Sequence, residues 1–425
     1  MKRKGLVFLS AIWVGLLFFP TIVFAGGKQE KTEEAMKEKV LKVGIASPFT
    51  GPHALDGQNN KDACVMRFEE AGLKVGDYRI ELMFVDTTSD AAKSTEAFAE
   101  AIERKGMQVA ISGFLGYCDQ AALDVTNPAG VPIIGTQGSS MDLSIKTRGL
   151  KPGILTKFWP AAEYTVPSYT DFIVHAEENT AWHPKQKKYA VLGIDNDWGR
   201  NWVHTFIPPM EKAGWKTAYQ AYTPPEQTDF YPILTQFKKE GIELIAFMSS
   251  SIASASAMAK QIKELEIKAL VILDGLGWVG NWYEMTGKAS DGILDSIPIW
   301  LPTADNFRKN FKQKFGYEPS AGTAGIAYDS AGMALKIFKR ALEKYGKLDS
   351  ETVLKISADE VATGKLTYGF DDGSIMMKEY KYTLKSYPDP VVDPDHYYFP
   401  ILQYMNGKIT VVYPGYMANA EFVVP

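Results

Sequence analysis

Cysteine is almost absent: the chain holds two in 425 residues, Cys64 and Cys118. That excludes a fold stapled by a disulfide framework. Each cysteine opens a different expected helix, and nothing in the spacing brings them together, so a single Cys64–Cys118 bond is the one crosslink left to test. Histidine is equally sparse, with His53, His175, His183, His204 and His396 at separations that fit no metal-ligand pattern. No His-Glu-x-x-His, Gly-x-Ser-x-Gly or phosphate-loop signature occurs, which removes the commonest routes to hydrolysis and nucleotide chemistry. Charge of one sign is lacking too. With 46 Lys and Arg against 50 Asp and Glu the net charge is −4, no footprint for nucleic acid or an anionic bilayer. Small solutes and protein partners remain.

What is present begins with a targeting pattern. Lys2-Arg3-Lys4 is a basic start, Gly5 to Phe24 is nearly all apolar, and Val23-Phe24-Ala25 places small residues before a cut at Gly26. An uncleaved run of about 20 apolar residues could span a bilayer, but the Ala25-Gly26-Gly27 exit favours a signal peptide over residues 1–25. No cysteine stands near Ala25 to carry a lipid. Residues 26–40, rich in Glu and Lys, read as a solvated linker.

Beyond it the chain alternates short apolar runs with amphipathic stretches. Strands are expected at Leu41 to Ala46, Tyr78 to Asp86, Met107 to Ile111 and Val131 to Ile134, with helices Asn59 to Ala71, Ala91 to Lys105 and one through Ala121 to Thr126. Ser89 is the expected cap of the second helix. Short β-α connections demand a parallel sheet covered on both faces. After a break at Trp159-Pro160 the alternation restarts, with strands Tyr189 to Ile194, Trp215 to Tyr222, Leu244 to Met248 and Ala269 to Leu273. The helices between them are Asn201 to Ala213, one capped by Asp229 and ending at Lys239, and Ala253 to Leu265. Two α/β halves of this kind imply a cleft between facing carboxyl edges. The last quarter holds helices Ala304 to Phe315 and Gly325 to Lys344, then a hairpin turning at Asn406-Gly407.

Every strand exit is rich in small, hydroxylated or acidic residues: Ser47 and Thr50, Gly116 and Tyr117, Gln137 through Gly138 and Ser139 to Ser140, Asp195 to Trp198, Ser249 to Ser251, and Asp274. With Tyr117, Trp159, Trp198 and Trp278 nearby, the pattern suits clamping of a small polar ligand. Donors without a nucleophile and base bind rather than react, so no enzyme and no cofactor is expected. One motif argues otherwise. Gly275-Leu276-Gly277-Trp278-Val279-Gly280 follows a strand and formally matches the dinucleotide fingerprint, which also needs a packed helix and an acid about 20 residues later. The segment after Gly280 reaches Gly287 within two turns and Trp278 would crowd a pyrophosphate, so nicotinamide binding is the weaker reading.

The order of short motifs resembles the leucine/isoleucine/valine-binding proteins, the type I solute-binding proteins of ABC importers for branched-chain amino acids and amides. The likeness rests on Leu41 to Gly51, Val85-Asp86, Gly130-Val-Pro-Ile-Ile, Asp195-Asn-Asp-Trp-Gly199, Thr228-Asp229-Phe230 and Ala327-Tyr328-Asp329. It implies two doubly wound parallel-sheet lobes joined by three crossings, here 41–158 plus 296–368 and 159–295 plus 369–425. It also implies export, lobe closure on a ligand, delivery to permease subunits, and a monomer. Carried over residue by residue, the resemblance places a ligand carboxylate near Gly116, Tyr117, Gln137, Gly138 and Ser139, an ammonium at Asp274 or the neighbouring Gly275, and further contacts at Thr50, Trp198 and Ser251. Gly116 stands where the family commonly has Ser, Asp56 where an aromatic often lies, and Ser251 where Tyr is expected. Those departures point away from a branched aliphatic amino acid. Asp56 suggests an extra cationic or amide group, Trp159 and Trp198 a ring. The other readings are a receptor for aromatic acids or for urea and short amides, and a sensory domain without transport.

Overall fold

A computed structural model describes residues 38–249, 251–277, 282–393 and 395–425. The expected signal peptide, residues 26–37 of the linker, and Trp278 to Gly280 of the glycine motif lie outside these.

The first half builds a sheet in the order β2-β3-β1-β4-β5-β6. Its elements are β1 (Lys39–Ser47), α1 (Ala54–Glu70), β2 (Lys74–Val75), β3 (Tyr78–Asp86), α2 (Ala91–Glu103), β4 (Val109–Ser112), α3 (Gly116–Ala129), β5 (Ile133–Thr136), α4 (Met141–Arg148) and β6 (Leu155–Lys157). All pairings except β2 with β3 are parallel, and β1 is central, running Lys39 opposite Tyr78 through Ser47 opposite Asp86 and Val43 opposite Val109. Strands covered on both faces must be apolar throughout, and Leu41, Val43, Ile45, Val109, Ile111, Ile133 and Ile134 are fully buried.

α5 (Ala162–Thr165) and α6 (Pro167–Asn179) lead into a second sheet through β7 (Lys188–Ile194), α7 (Asp197–Lys212), β8 (Lys216–Thr223), α8 (Tyr231–Glu240), β9 (Leu244–Met248), α9 (Ile252–Glu264), β10 (Leu270–Asp274), α10 (Trp282–Thr286) and β11 (Leu294–Asp295). The chain then returns to the first lobe as α11 (Ala304–Phe315), α12 (Ile326–Tyr345) and α13 (Ser350–Ile356), followed by the small ribbon β12 (Tyr368–Gly369) and β13 (Glu379–Tyr380). It ends as the hairpin β14 (Ile401–Met405) and β15 (Lys408–Tyr413), which extends the second sheet antiparallel to give β15-β14-β11-β10-β9-β7-β8. The two lobes therefore each carry a mainly parallel sheet with an antiparallel edge, and helices on its faces.

Several expected details change. α1 starts five residues earlier than its periodicity indicates and has no side-chain cap at His53. Asp90, not Ser89, caps α2 by accepting from the Lys93 N–H, because Ser89 sits at φ +58°. α8 begins at Tyr231 behind Phe230, and Asp229 holds the Tyr231 N–H instead of capping. α4, β6, α5 and α6 were not foreseen, since 141–179 shows no clean period of 2 or 3.6. Residues 369–425, expected to return together to the second lobe, divide: Ile375, Met376, Tyr380, Tyr382, Tyr397 and Phe399 belong to the core around β1 and α12, and only from Ile401 does the chain join the second sheet. Both cysteines are free and buried in separate clusters, Cys64 beside α12 and Cys118 beside Phe114 and Leu115.

Buried polar clips hold the returns in place. Asp329 on α12 accepts from the Ser374 and Tyr380 hydroxyls and from the Ile375 and Met376 N–H groups at 2.7–3.1 Å. Where the lobes join, Lys157 and Asp389 are both fully buried with Nζ and Oδ1 2.7 Å apart. The same Oδ1 accepts from the Ala161 N–H at 2.8 Å.

Candidate functional site

The carboxyl ends of both sheets border one cavity of about 600 Å³, its mouth included. On the first lobe the wall is the loop from β4 into α3 and the loop from β5 into α4. One carboxylate sets their spacing: buried Asp119, one turn into α3, accepts from the hydroxyls of Ser112 and Thr136 at the two strand ends. The Thr136 oxygen in turn accepts from the Gly138 N–H at 3.1 Å. Burial pushes the Asp119 carboxyl up to about 7 although both hydroxyls pull it down. The loops touch through glycines, since a Cβ built on Gly138 would lie 2.5 Å from the Gly116 Cα. Ser140 caps α4 through the Asp142 N–H, and the Ser139 carbonyl accepts from the Ala162 N–H at 3.1 Å. Gln137 donates to the Thr323 carbonyl at 3.1 Å, tying its loop to the turn before α12. Among the described residues the N–H groups of Gly116 and Ser139 and the Ser139 Oγ donate to no protein atom. Gly116 opens α3 and Ser139 stands just before the Ser140 cap of α4, positions where backbone N–H groups lack an intrahelical partner.

On the second lobe Asn196 caps α7 by accepting from the Gly199 N–H at 2.9 Å, which places Trp198 on the cavity wall. Ser249 follows β9 and donates its N–H to the Asp274 carbonyl at 3.0 Å. Asp274 ends β10. Its Oδ2 accepts from the Tyr169 hydroxyl and the Trp202 Nε1, each at 2.9 Å, and its Oδ1 accepts from nothing among the described residues. Burial first, and Asp295 second, push its carboxyl up to about 7 against the pull of Trp202 and Tyr169. Among the described residues lining the cavity, Asp274 is the sole charged side chain.

Asp295 explains the glycine motif. It stands about 20 residues after Gly275, where a dinucleotide fold keeps its ribose acid, but its oxygens accept from the N–H groups of Gly275, Gly277 and Ser296 and from the Tyr404 hydroxyl at 2.5–3.2 Å. A Cβ on Gly277 would fall 2.1 Å from that hydroxyl. The glycine is there for close packing against Tyr404, and the acid is engaged in holding the loop.

Of the residues singled out from sequence, Gly116, Tyr117, Gln137, Ser139, Trp159, Trp198 and Asp274 line the cavity together. Gly138 supports it from behind. Thr50 does not reach it: its hydroxyl and N–H bond to Asp86. Asp56 pairs at 3.7 Å with His53 in the first turn of α1, away from the lining. Ser251 caps α9 through the Ser254 N–H, and Ser249 occupies the wall in its place. Sequence reasoning passed over Phe114 and Leu115 on the wall and Tyr169 and Trp202 behind Asp274. Only Trp202 left a signal, four residues after Trp198 on one helix face. Among the described residues no cluster of three His, Cys, Asp or Glu could hold a metal, and no helix is long and apolar enough to cross a membrane.

Two α/β lobes with helices on both faces, meeting over a donor-lined cavity that holds a single acid, define a solute receptor. A family model described as periplasmic binding protein matches residues 40–365, and the chain belongs to that family. It is similar to the leucine-, isoleucine-, valine-, threonine-, and alanine-binding protein of Pseudomonas aeruginosa, 25% identical over 349 residues, 80% of this chain and 87% of that one. Among solved structures, a branched-chain amino acid ABC transporter protein from Silicibacter pomeroyi superposes with a TM-score of 0.75 at 17% identity, covering 91% of this chain and 99% of the other. A solute-binding protein of Rhodopseudomonas palustris in complex with benzoate gives 0.71 at 18%, covering 91% and 98%. These structures share the fold, type I of the periplasmic binding proteins.

Proposed function

We propose that the protein is the extracytoplasmic receptor of an ABC importer and that its lobes close on a small zwitterion of the amino acid class. The ligand carboxylate sits against the Gly116 and Ser139 N–H groups and the Ser139 Oγ; the cationic end meets Asp274. One observation carries this reading: among the described residues lining the cavity Asp274 is the only charged side chain, fixed on Oδ2 by Tyr169 and Trp202 and without a described donor on Oδ1. The crossings at 158–161, 296–303 and 400 serve as the hinge, and contacts from both lobes favour the closed state. Permease subunits are the partners, the receptor acts as a monomer, and residues 1–25 direct export. The relative that binds leucine, isoleucine, valine, threonine and alanine supports the class.

A second reading, an aromatic-acid receptor, is favoured by Phe114, Tyr117, Trp159 and Trp198 on the wall and by the neighbour that holds benzoate. Against it, no Lys, Arg or His stands among the described residues of that wall to offset a net anion. A thermal-shift panel of amino acids, amides and aromatic acids separates the two, since a ligand at 100 times its Kd stabilises by about 2.7 kcal/mol. Shifts from zwitterions that vanish in Asp274→Asn support the proposal. A shift from benzoate alone, kept in that variant, refutes it.

A further inference from the structure

Among the described residues bordering the cleft, the open hydrogen-bond acceptors exceed those that an ammonium can fill. A primary ammonium brings three N–H donors. Beside Asp274 Oδ1, two further oxygens accept from none of the described residues: the Gly275 carbonyl, next in the chain, and the Ser296 Oγ in an adjoining hollow that Asp274 also borders. The cationic end of a zwitterion is provided for there.

Another acceptor stands on the opposite lobe. Gln137 follows β5 on the cavity wall and is 3% exposed. Its amide has one allowed orientation, because only the nitrogen can donate to the Thr323 carbonyl 3.1 Å away, and that bond directs the oxygen along the other fork of the amide. Oε1 accepts from no described residue. The open donors of this wall, the Gly116 and Ser139 N–H groups and the Ser139 Oγ, are taken by the ligand carboxylate in the reading above, and a carboxylate returns no donor. Lobes that closed over Gln137 without supplying one would strand a buried acceptor. Phe114 and Leu115 on the same wall offer an apolar bed for the carbons of a side chain that reaches it.

Resting on the zwitterion reading above, we propose that the ligand's side chain carries a neutral hydrogen-bond donor, a hydroxyl or a primary amide, which Gln137 Oε1 accepts. Gln137 is then the residue that selects polar over purely aliphatic amino acids.

The test is calorimetric titration of the full-length receptor with pairs matched in shape: threonine against valine for the hydroxyl, asparagine against leucine and glutamine against methionine for the amide. In at least one pair the polar member is expected to bind about tenfold tighter or more, because a site built around a hydrogen bond rejects the analogue that lacks it. Gln137→Met keeps the reach of the side chain and removes the acceptor, so the preference should shrink to about threefold or less, with the apolar partner's affinity nearly unchanged. The melting temperature of the variant reports that the fold survives, and the wild-type comparison stands without it. Equal weakening of both members in Gln137→Met, through the broken bond to Thr323 alone, would overturn the role of Oε1, as would a preference that persists in the variant. Apolar members binding as tightly as polar ones in every pair would overturn donor recognition while leaving the zwitterion receptor intact. No response to any of the six would overturn both.

Discussion

At the scale of single residues, Asp274 joins fold to function. A carboxyl raised by burial to about 7 is more protonated folded than unfolded, so its contribution to stability is complete below its ordinary value of 3.8 and is lost as pH rises through about 7. Asp274→Asn should therefore flatten a decline in the stability of the ligand-free protein across that window, measured by urea unfolding at pH 4 to 8. Binding runs the other way. A cationic ligand prefers the ionised form, so affinity should climb up to tenfold per unit as pH rises toward 7 and level off above it. The groups facing Asp274 are Asp295, Tyr169, Trp202 and, through Asp295, Tyr404. Asp295 is itself pushed up by burial and titrates beside Asp274, so calorimetry in Asp274→Asn should show a weaker pH dependence, not a flat one, and a loss of about 1.5–3 kcal/mol. On the opposite wall, Ser139→Ala removes one neutral donor and should weaken binding by about 1 kcal/mol, a smaller loss because the N–H groups remain.

At the scale of elements, the contact between Gly116 and Gly138 sets how near two strand exits approach. Gly138→Ala would place its methyl 2.5 Å from the Gly116 Cα and 2.7 Å from a Leu143 methyl, so the loops must part. The expected result is a loss of at least tenfold in affinity with a modest fall in melting temperature, read by titration and by thermal unfolding. Elements were also where the sequence was most legible. β3, β9 and α11 lie where their patterns place them: β9 is a fully buried apolar run, β3 is a mostly apolar run ended by Asp86, and α11 has a clear apolar stripe closed by Gly316 at φ +84°. Strand exits were legible as well, which is why seven of the residues singled out share one wall. Asp56 was misplaced because α1 begins without a capping side chain to mark its start. Tyr169 was missed because what brings it to Asp274 is the approach of α6 to the end of β10, a tertiary fact with no local pattern, and Trp202 left only its spacing from Trp198.

At the scale of the whole molecule, the lobes are joined through buried charge. Replacing Lys157 with Met leaves the Asp389 carboxylate without its 2.7 Å ion-pair partner in a dry site, with the Ala161 N–H on that oxygen and Arg148 at 3.6 Å from the other. Removing one member of a buried pair costs about 3–5 kcal/mol. Urea unfolding should show a loss of that order, and the double change Lys157→Met with Asp389→Asn should recover part of it. Unfolding midpoints should be the same with and without a thiol reductant, since neither cysteine is bonded.

The Ser139 carbonyl bonds to Ala162 while the adjacent Ala161 N–H bonds to Asp389, so the fingers of this hand are sewn to its wrist. In the proposed closure, a pull on the loop at Ser139 passes straight to the crossing at 158–161. Loosening that stitch should leave a receptor that still holds its cargo but no longer announces it.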